Sequence, residues 1–158
     1  MNLEEELLLS HQHSGRHFGK ALSKMKKQFD QWAESNLNRL GYPGFKMSYM
    51  PFVMNIAPGG TTNTELARMA GITKQAMSQV VKLLHAQGYI DIRSHETDRR
   101  CSVLFLTKKG KKFIIDTRSC VKSLSDEYKK LLGKKNYDIM IDGMLAITTY
   151  HENLKDKA

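Results

Sequence analysis

The strongest constraint on the fold is a pair of short helical segments joined by a tight turn at Gly71. Thr62 and Glu65 have the spacing of a capping box, which predicts a helix that starts at Thr62. Gly71 ends that helix, because the turn after it requires a positive φ. Thr73 is placed to cap a second helix, which ends near Gly88. Two short helices joined by a tight turn predict a helix-turn-helix.

The second helix combines an apolar stripe with a polar face. The predicted buried stripe is Ala76, Met77, Val80, Val81 and Leu84. The predicted exposed face is Lys74, Gln75, Ser78, Gln79 and Lys82. A helix that enters the major groove of DNA needs side chains of this kind, because glutamine can pair with adenine, hydroxyls bond either base type, and lysine suits guanine or phosphate. An ordinary solvated helix face is the alternative.

Gln75, Ser78 and Gln79 are the candidates for contacts with base edges, and Lys74 and Lys82 for contacts mainly with phosphates. The capping residues Thr62 and Thr73 complete the candidate contacts on the two helices.

Two predicted strands and a polar turn follow, namely Tyr89–Ser94, His95–Arg100 and Cys101–Leu106. A hairpin directly after a helix-turn-helix is a wing. Its tip carries Arg99 and Arg100 beside Asp98, and an arginine there can enter a narrow minor groove while the aspartate holds it. The alternative is a surface ion pair of little energetic value. Spacing leaves open which of the two arginines would be inserted.

Helices are predicted on both sides of this segment, over about 13–40, 48–56, 107–132 and 136–154. The predicted fold is mainly α with a small β-hairpin wing, in the order α-α-α-α-β-β-α-α. We expect one structural domain with three segments: an N-terminal helical segment over 1–45, a winged helix-turn-helix lobe over 46–110, and C-terminal helices over 111–158. The apolar stripes of the first and last helices predict that they form a dimer interface across a two-fold axis.

Composition supports a polyanionic partner. The 158-residue chain has a formal net charge of +9 and a pI of about 9.6, which favours nucleic acid over a membrane surface, although a solvated basic face would give the same charge. The acidic N-terminus lacks the features of a signal peptide, and no stretch has the ~18–20 apolar residues of a membrane span. We therefore expect a cytoplasmic protein. The two cysteines lack metal-ligand spacing, and no cofactor or metal is expected.

The chain resembles the MarR family of bacterial winged-helix regulators in these motifs: Thr64-Glu65-Leu66-Ala67, Gly71-Ile72-Thr73-Lys74-Gln75-Ala76-Met77-Ser78, Gly88-Tyr89-Ile90, Asp98-Arg99-Arg100 and Leu106-Thr107-Lys108-Lys109-Gly110. The resemblance implies a homodimer that binds a palindromic operator and often represses transcription. It implies that Asp98 orients the wing and Arg100 enters the minor groove. Gln79 stands where many members carry arginine, so base preference is expected to differ at that position.

The resemblance also implies release of DNA when a small phenolic or lipophilic ligand, or an oxidant, acts on the protein. A soft aromatic cluster is the candidate effector pocket: Phe45, Met47, Tyr49, Met50 and Met54. Core packing is the alternative for that cluster. Cys101 is a candidate redox switch because adjacent arginines lower the pKa of a thiol, and a small strand residue is the alternative there.

Catalysis is not expected, because the chain has no nucleophile elbow, P-loop, dinucleotide-binding fingerprint or zinc-protease motif. A winged helix that serves as an assembly or RNA-binding module, without operator specificity, is the remaining alternative function.

Overall fold

The computed structural model of the chain describes residues 2–12, 17–94 and 102–155. Its elements in chain order are α1 (Leu3–Gln12), α2 (Phe18–Arg39), a 3-10 turn (Met47–Tyr49), α3 (Met50–Met54), β1 (Thr61–Thr62), α4 (Asn63–Ala70), α5 (Lys74–Ala86), β2 (Ile90–Ser94), β3 (Ser102–Leu106), α6 (Lys108–Leu132) and α7 (Lys134–Lys155). The predicted fold, mainly helical with a β-hairpin wing, is confirmed.

The sheet has one strand more than the sequence predicts. β2 and β3 form the expected antiparallel hairpin, in which Ile90 lies opposite Leu106 and Ser94 opposite Ser102. The short strand β1 adds to the other edge of β3, so the strand order is β1-β3-β2. Two residues are too short for a recognisable alternating pattern, and pairing with β3 is what makes them a strand.

Helix boundaries differ from the predictions in the first third of the chain. The residues before the long helix form a separate helix, α1, and the long helix α2 itself begins at Phe18 rather than near His13. The segment predicted as a helix over 48–56 is a 3-10 turn followed by the short α3, with Pro51 in its first turn as expected. The APGG sequence at 57–60 leaves room for little more than one regular turn.

An aromatic cluster forms the centre of the core: Tyr42, Phe45, Tyr89 and Phe113. The ring centroids of Phe45 and Phe113 are 4.4 Å apart, and those of Tyr89 and Phe113 are 5.1 Å apart at a steep angle. The Tyr89–Phe113 pair has the edge-to-face geometry that aromatic rings favour, whereas the Phe45–Phe113 pair is a close, tilted contact. Burial raises the pKa of the Tyr89 hydroxyl. The cluster packs against Leu66, Met77 and Leu84, and so supports both helices of the helix-turn-helix from behind.

The chain divides into two compact units, Met1–Ile114 and Ile115–Ala158. In the first unit, the apolar side chains of α2 are exposed at its start and buried toward its end. Phe18 and Leu22 are more than half exposed, whereas Ala33 and Leu37 are buried.

The second unit exposes apolar side chains along α7: Ile139, Met144, Leu145, Ile147, Tyr150 and Leu154. Among the described residues, no helix combines the length and the apolar character that crossing a membrane requires.

Candidate nucleic-acid interface

The start of α4 is held by the predicted capping box. The Glu65 N–H donates to Thr62 Oγ1 at 3.1 Å, and the Thr62 N–H donates to Glu65 Oε2 at 2.9 Å. The Thr62 hydroxyl donates to the same carboxylate oxygen at 2.7 Å. Because its only proton is used in this bond, the Thr62 hydroxyl can accept further hydrogen bonds but cannot donate one. Its observed role is that of a cap.

The turn between the helices also has the predicted geometry. Gly71 has φ 64° and ψ 30°, in the left-handed region, and the Ile72 N–H donates to the Ala67 carbonyl at 3.1 Å. Thr73 then caps α5 by accepting a hydrogen bond from the Ala76 N–H at 3.1 Å. These local bonds set the angle at which α5 leaves the turn, and they require no ligand.

The exposed face of α5 contains most of the predicted reading residues. Lys74, Gln75, Gln79 and Lys82 are all exposed, whereas Met77, Val81 and Leu84 are buried on the opposite face. Gln75 and Gln79 lie one turn apart and project on the side opposite Met77, since successive residues are rotated by ~100°.

Ala76, predicted to be buried, is exposed. On the helix surface Ala76 lies farther from Met77 than Val80 does. Val80 is itself only partly buried against the core, so it marks the edge of the buried stripe.

Ser78 differs from the other predicted reading residues because it is half-buried. Its hydroxyl donates to the Lys74 carbonyl oxygen at 2.8 Å and accepts from Asn63 Nδ2 at 3.2 Å. Asn63 is the first residue of α4 and was not among the predicted site residues. The available signal was its position directly after the cap of α4, but the long-range contact itself has no local pattern.

The base of the wing explains the Leu-Thr-x-x-Gly motif in physical terms. The Thr107 hydroxyl lies 2.6 Å from the Gly88 carbonyl oxygen, and the Thr107 N–H donates to the Tyr89 carbonyl at 3.1 Å. The Gly110 N–H donates to Thr107 Oγ1 at 3.0 Å. A Cβ on Gly110 would lie only 2.1 Å from the Tyr89 carbonyl oxygen. The motif therefore joins the start of α6 to the segment that connects α5 to the wing.

Two cations outside the predicted set also hold this region. The Lys109 ammonium donates to the Gln87 carbonyl at 2.8 Å and lies 4.4 Å from the centre of the Tyr89 ring. The Arg93 guanidinium lies 4.6 Å from the centre of the Phe105 ring, on the strand that leads to the wing tip. Both are cation–π contacts. The predicted tip residues Asp98, Arg99 and Arg100, together with Cys101, lie outside the described residues.

The residues of the predicted effector pocket are packed against the core. Phe45 is buried in the aromatic cluster, and Met47, Tyr49, Met50 and Met54 are partly buried against it. Packing accounts for all five side chains, and the pocket remains a prediction. Among the described residues, no group of three or more metal-ligating side chains is brought together.

The arrangement of α4, α5, β2 and β3 defines a winged helix-turn-helix protein. Residues 45–100 match the sequence model of the MarR family, and the resemblance predicted from the motifs is confirmed over this segment. A comparison with curated proteins finds no match.

Solved structures share this fold over most of the chain. FabT from Streptococcus pneumoniae in complex with DNA is similar with a TM-score of 0.76 at 20% identity, over 86% of this chain and 96% of that chain. A MarR transcriptional regulator from Methanosarcina mazei Go1 gives 0.71 at 20% identity, over 86% and 96%. The transcriptional repressor CouR, bound to a 23-mer DNA duplex, gives 0.70 at 21% identity, over 84% and 92%. Together with the family match, these likenesses support a DNA-binding regulator as the general class.

Proposed function

We propose that the chain is a sequence-specific regulator of transcription that binds double-stranded DNA with α5 in the major groove. The observation that carries this proposal is the exposed face of α5, on which Lys74, Gln75, Gln79 and Lys82 project together from a helix without any carboxylate. Base edges in the major groove present donors and acceptors that glutamine can pair with, and the lysines can neutralise flanking phosphates.

The wing completes the proposed contact. β2 and β3 extend from the end of α5, and their base is tied to α6 through Thr107 and Gly110. Arg100, at the tip outside the described residues, is proposed to enter the minor groove, with Asp98 orienting it. The positive charge of the chain favours association with any duplex and makes the affinity dependent on salt.

We further propose that the functional unit is a homodimer on a palindromic site. Exposed apolar side chains on α2, and separately on α7, support this step, because large exposed apolar surfaces mark interaction sites. A two-fold dimer presents two copies of α5, which suits half-sites separated by about 34 Å, one turn of DNA. Repression, and release by a small lipophilic or phenolic effector or an oxidant, are the regulatory parts of the proposal. Since the proposed partner is chromosomal DNA, we expect the protein to act in the cytoplasm.

The solved structures with DNA give independent support. FabT was crystallised in complex with DNA, and CouR is a repressor bound to a duplex. Both share the fold of this chain at identities near one fifth, so the specific operator is not transferable from them.

Fluorescence anisotropy tests the proposal with a duplex from upstream of the protein's own gene and a shuffled duplex of the same composition. Lys82→Ala is compared with Lys135→Ala, since both remove one exposed lysine and the same charge. We expect the protein to bind the native duplex more tightly than the shuffled one, with a lower affinity at high salt. We also expect Lys82→Ala to lower the affinity more than Lys135→Ala does. An equal loss of affinity in the two variants would show that α5 contributes only nonspecific positive charge. Absence of binding to either duplex would favour an assembly or RNA-binding module.

A further inference from the structure

The polar contact between α4 and α5 differs from the rest of their packing, which is apolar. Asn63 Nδ2 donates to Ser78 Oγ at 3.2 Å, and Ser78 Oγ donates to the Lys74 carbonyl oxygen at 2.8 Å. A serine hydroxyl has one proton and two acceptor lone pairs. The proton and one lone pair of Ser78 are therefore already used within the protein.

This arrangement restricts what Ser78 can do at a base edge. Because the Ser78 hydroxyl donates its hydrogen bond to the Lys74 carbonyl oxygen, it cannot donate to the N7 or O6 of guanine or to the O4 of thymine. Ser78 is also half-buried, whereas Gln75 and Gln79 are exposed. The side chains best placed for reading are thus the two glutamines, and Ser78 faces the neighbouring helix.

Asn63 is itself anchored on the side of the sheet. It follows Thr62, which caps α4 and whose backbone pairs with Val103 of the wing strand β3. The Asn63–Ser78 bond therefore links the residue next to the wing sheet with the recognition helix.

The Asn63 side chain also has an unsatisfied atom. Its Oδ1 is buried and has no hydrogen-bond partner within the part of the chain that the structure describes. A buried acceptor without a partner lowers stability, and an apolar residue at the same site would avoid that cost. Fold stability alone therefore gives little reason for an asparagine here, whereas the bond to Ser78 requires a hydrogen-bond donor at this position.

We infer that Asn63 is a positioning residue for base recognition, which acts through Ser78 to set the placement of Gln75 and Gln79 relative to the wing. Ser78 acts together with Asn63 in this role and does not itself contact a base edge. This inference rests on the proposed function and specifies how its reading face is held.

The test uses the full-length chain and a pool of random-sequence duplex DNA, from which the wild-type protein selects its preferred sequence. Anisotropy then measures discrimination between that sequence and its single-base variants. The variants are Asn63→Ala, Ser78→Ala, the double substitution, and Ser78→Thr, which retains the hydroxyl. Thermal unfolding of each variant accompanies the titrations, and the readout is the ratio of affinities, which a general loss of folded protein does not change.

Both single alanine variants should lose discrimination at the same base pairs, by a similar factor of about threefold to tenfold for contacting residues that act as a unit. The double variant should lose no more than either single variant, and Ser78→Thr should restore discrimination. Loss at one base pair in Ser78→Ala, with Asn63→Ala unchanged, would show that Ser78 reads that base directly and would overturn the inference. Unchanged discrimination in both variants would overturn it as well. If the wild-type protein selects no sequence, the proposed function fails, which is a separate and recognisable result.

Discussion

Gly110 is the position at which a single methyl group should have the clearest effect. In the Gly110→Ala variant the new Cβ would lie 2.1 Å from the Tyr89 carbonyl oxygen and 3.1 Å from its carbonyl carbon. Backbone atoms cannot move aside as a flexible side chain can, so the start of α6 must shift by about 1.3 Å to reach an ordinary van der Waals separation of 3.4 Å.

The magnitude follows from the bonds at this junction. A shift of that size would stretch the Thr107 hydroxyl contact with Gly88, the Thr107 N–H bond to Tyr89 and the Gly110 N–H bond to Thr107. Loss of two or three such bonds costs about 2–4 kcal/mol. Alanine gains about 1 kcal/mol over glycine through its helix propensity. The net loss in free energy of unfolding is then about 1–3 kcal/mol, which for a chain of this size lowers Tm by roughly 3–10 °C.

Urea and thermal denaturation, at one fixed chain concentration, measure this loss. Gly59→Ala is the matched control, because its φ lies outside the positive range and nothing lies within 4 Å of the added Cβ. That control should change stability by less than about 1 kcal/mol. Equal stability of the Gly110 and Gly59 variants would refute the close contact between Gly110 and Tyr89 as the reason for glycine in the wing motif.

The remaining predictions concern DNA and assembly. Gln75→Ala should relax base preference at one position, at a cost of about 1–3 kcal/mol if the contact is bidentate; a uniform loss over all sequences would instead identify a phosphate contact. Arg100→Ala should weaken operator binding at matched salt, and unchanged affinity would remove Arg100 from the minor groove. Light scattering should give twice the chain mass of 18.1 kDa, and a monomer at micromolar concentration would contradict the dimer. Leu145→Glu, which places a charge on the exposed apolar face of α7, should shift the protein toward the monomer.

The helix ends of the DNA-binding segment could be predicted because each depends on neighbours in the sequence. The Thr62–Glu65 capping box, the positive φ of Gly71 and the Thr73 cap all involve residues within four positions of one another. Such bonds form wherever the pattern occurs, so the pattern predicts them. The long α6 and the ends of β2 and β3 were also predictable from periodicity, to within a residue or two.

Burial at the edge of a helix was less predictable. Ala76 fits an apolar stripe by residue type, yet it is exposed, because the neighbouring elements cover Met77, Val81 and Leu84 and reach only as far as Val80. The cluster of methionines and aromatic residues before α4 was ambiguous for a similar reason. Apolar character is compatible with both a core and a pocket, and the packing of Phe45 against Phe113 became evident only in three dimensions.

The two helices, their turn, the polar face of α5 and the hairpin after it could all be predicted from the sequence, because they depend on short-range bonds and on the period of apolar residues. Only the tertiary structure assigned Thr61 and Thr62 to a third strand, engaged the Ser78 hydroxyl with Asn63, and brought Gly110 against Tyr89. Each of those contacts joins residues 15 or more positions apart. No local pattern encodes such a contact, since its formation depends on how the whole chain packs.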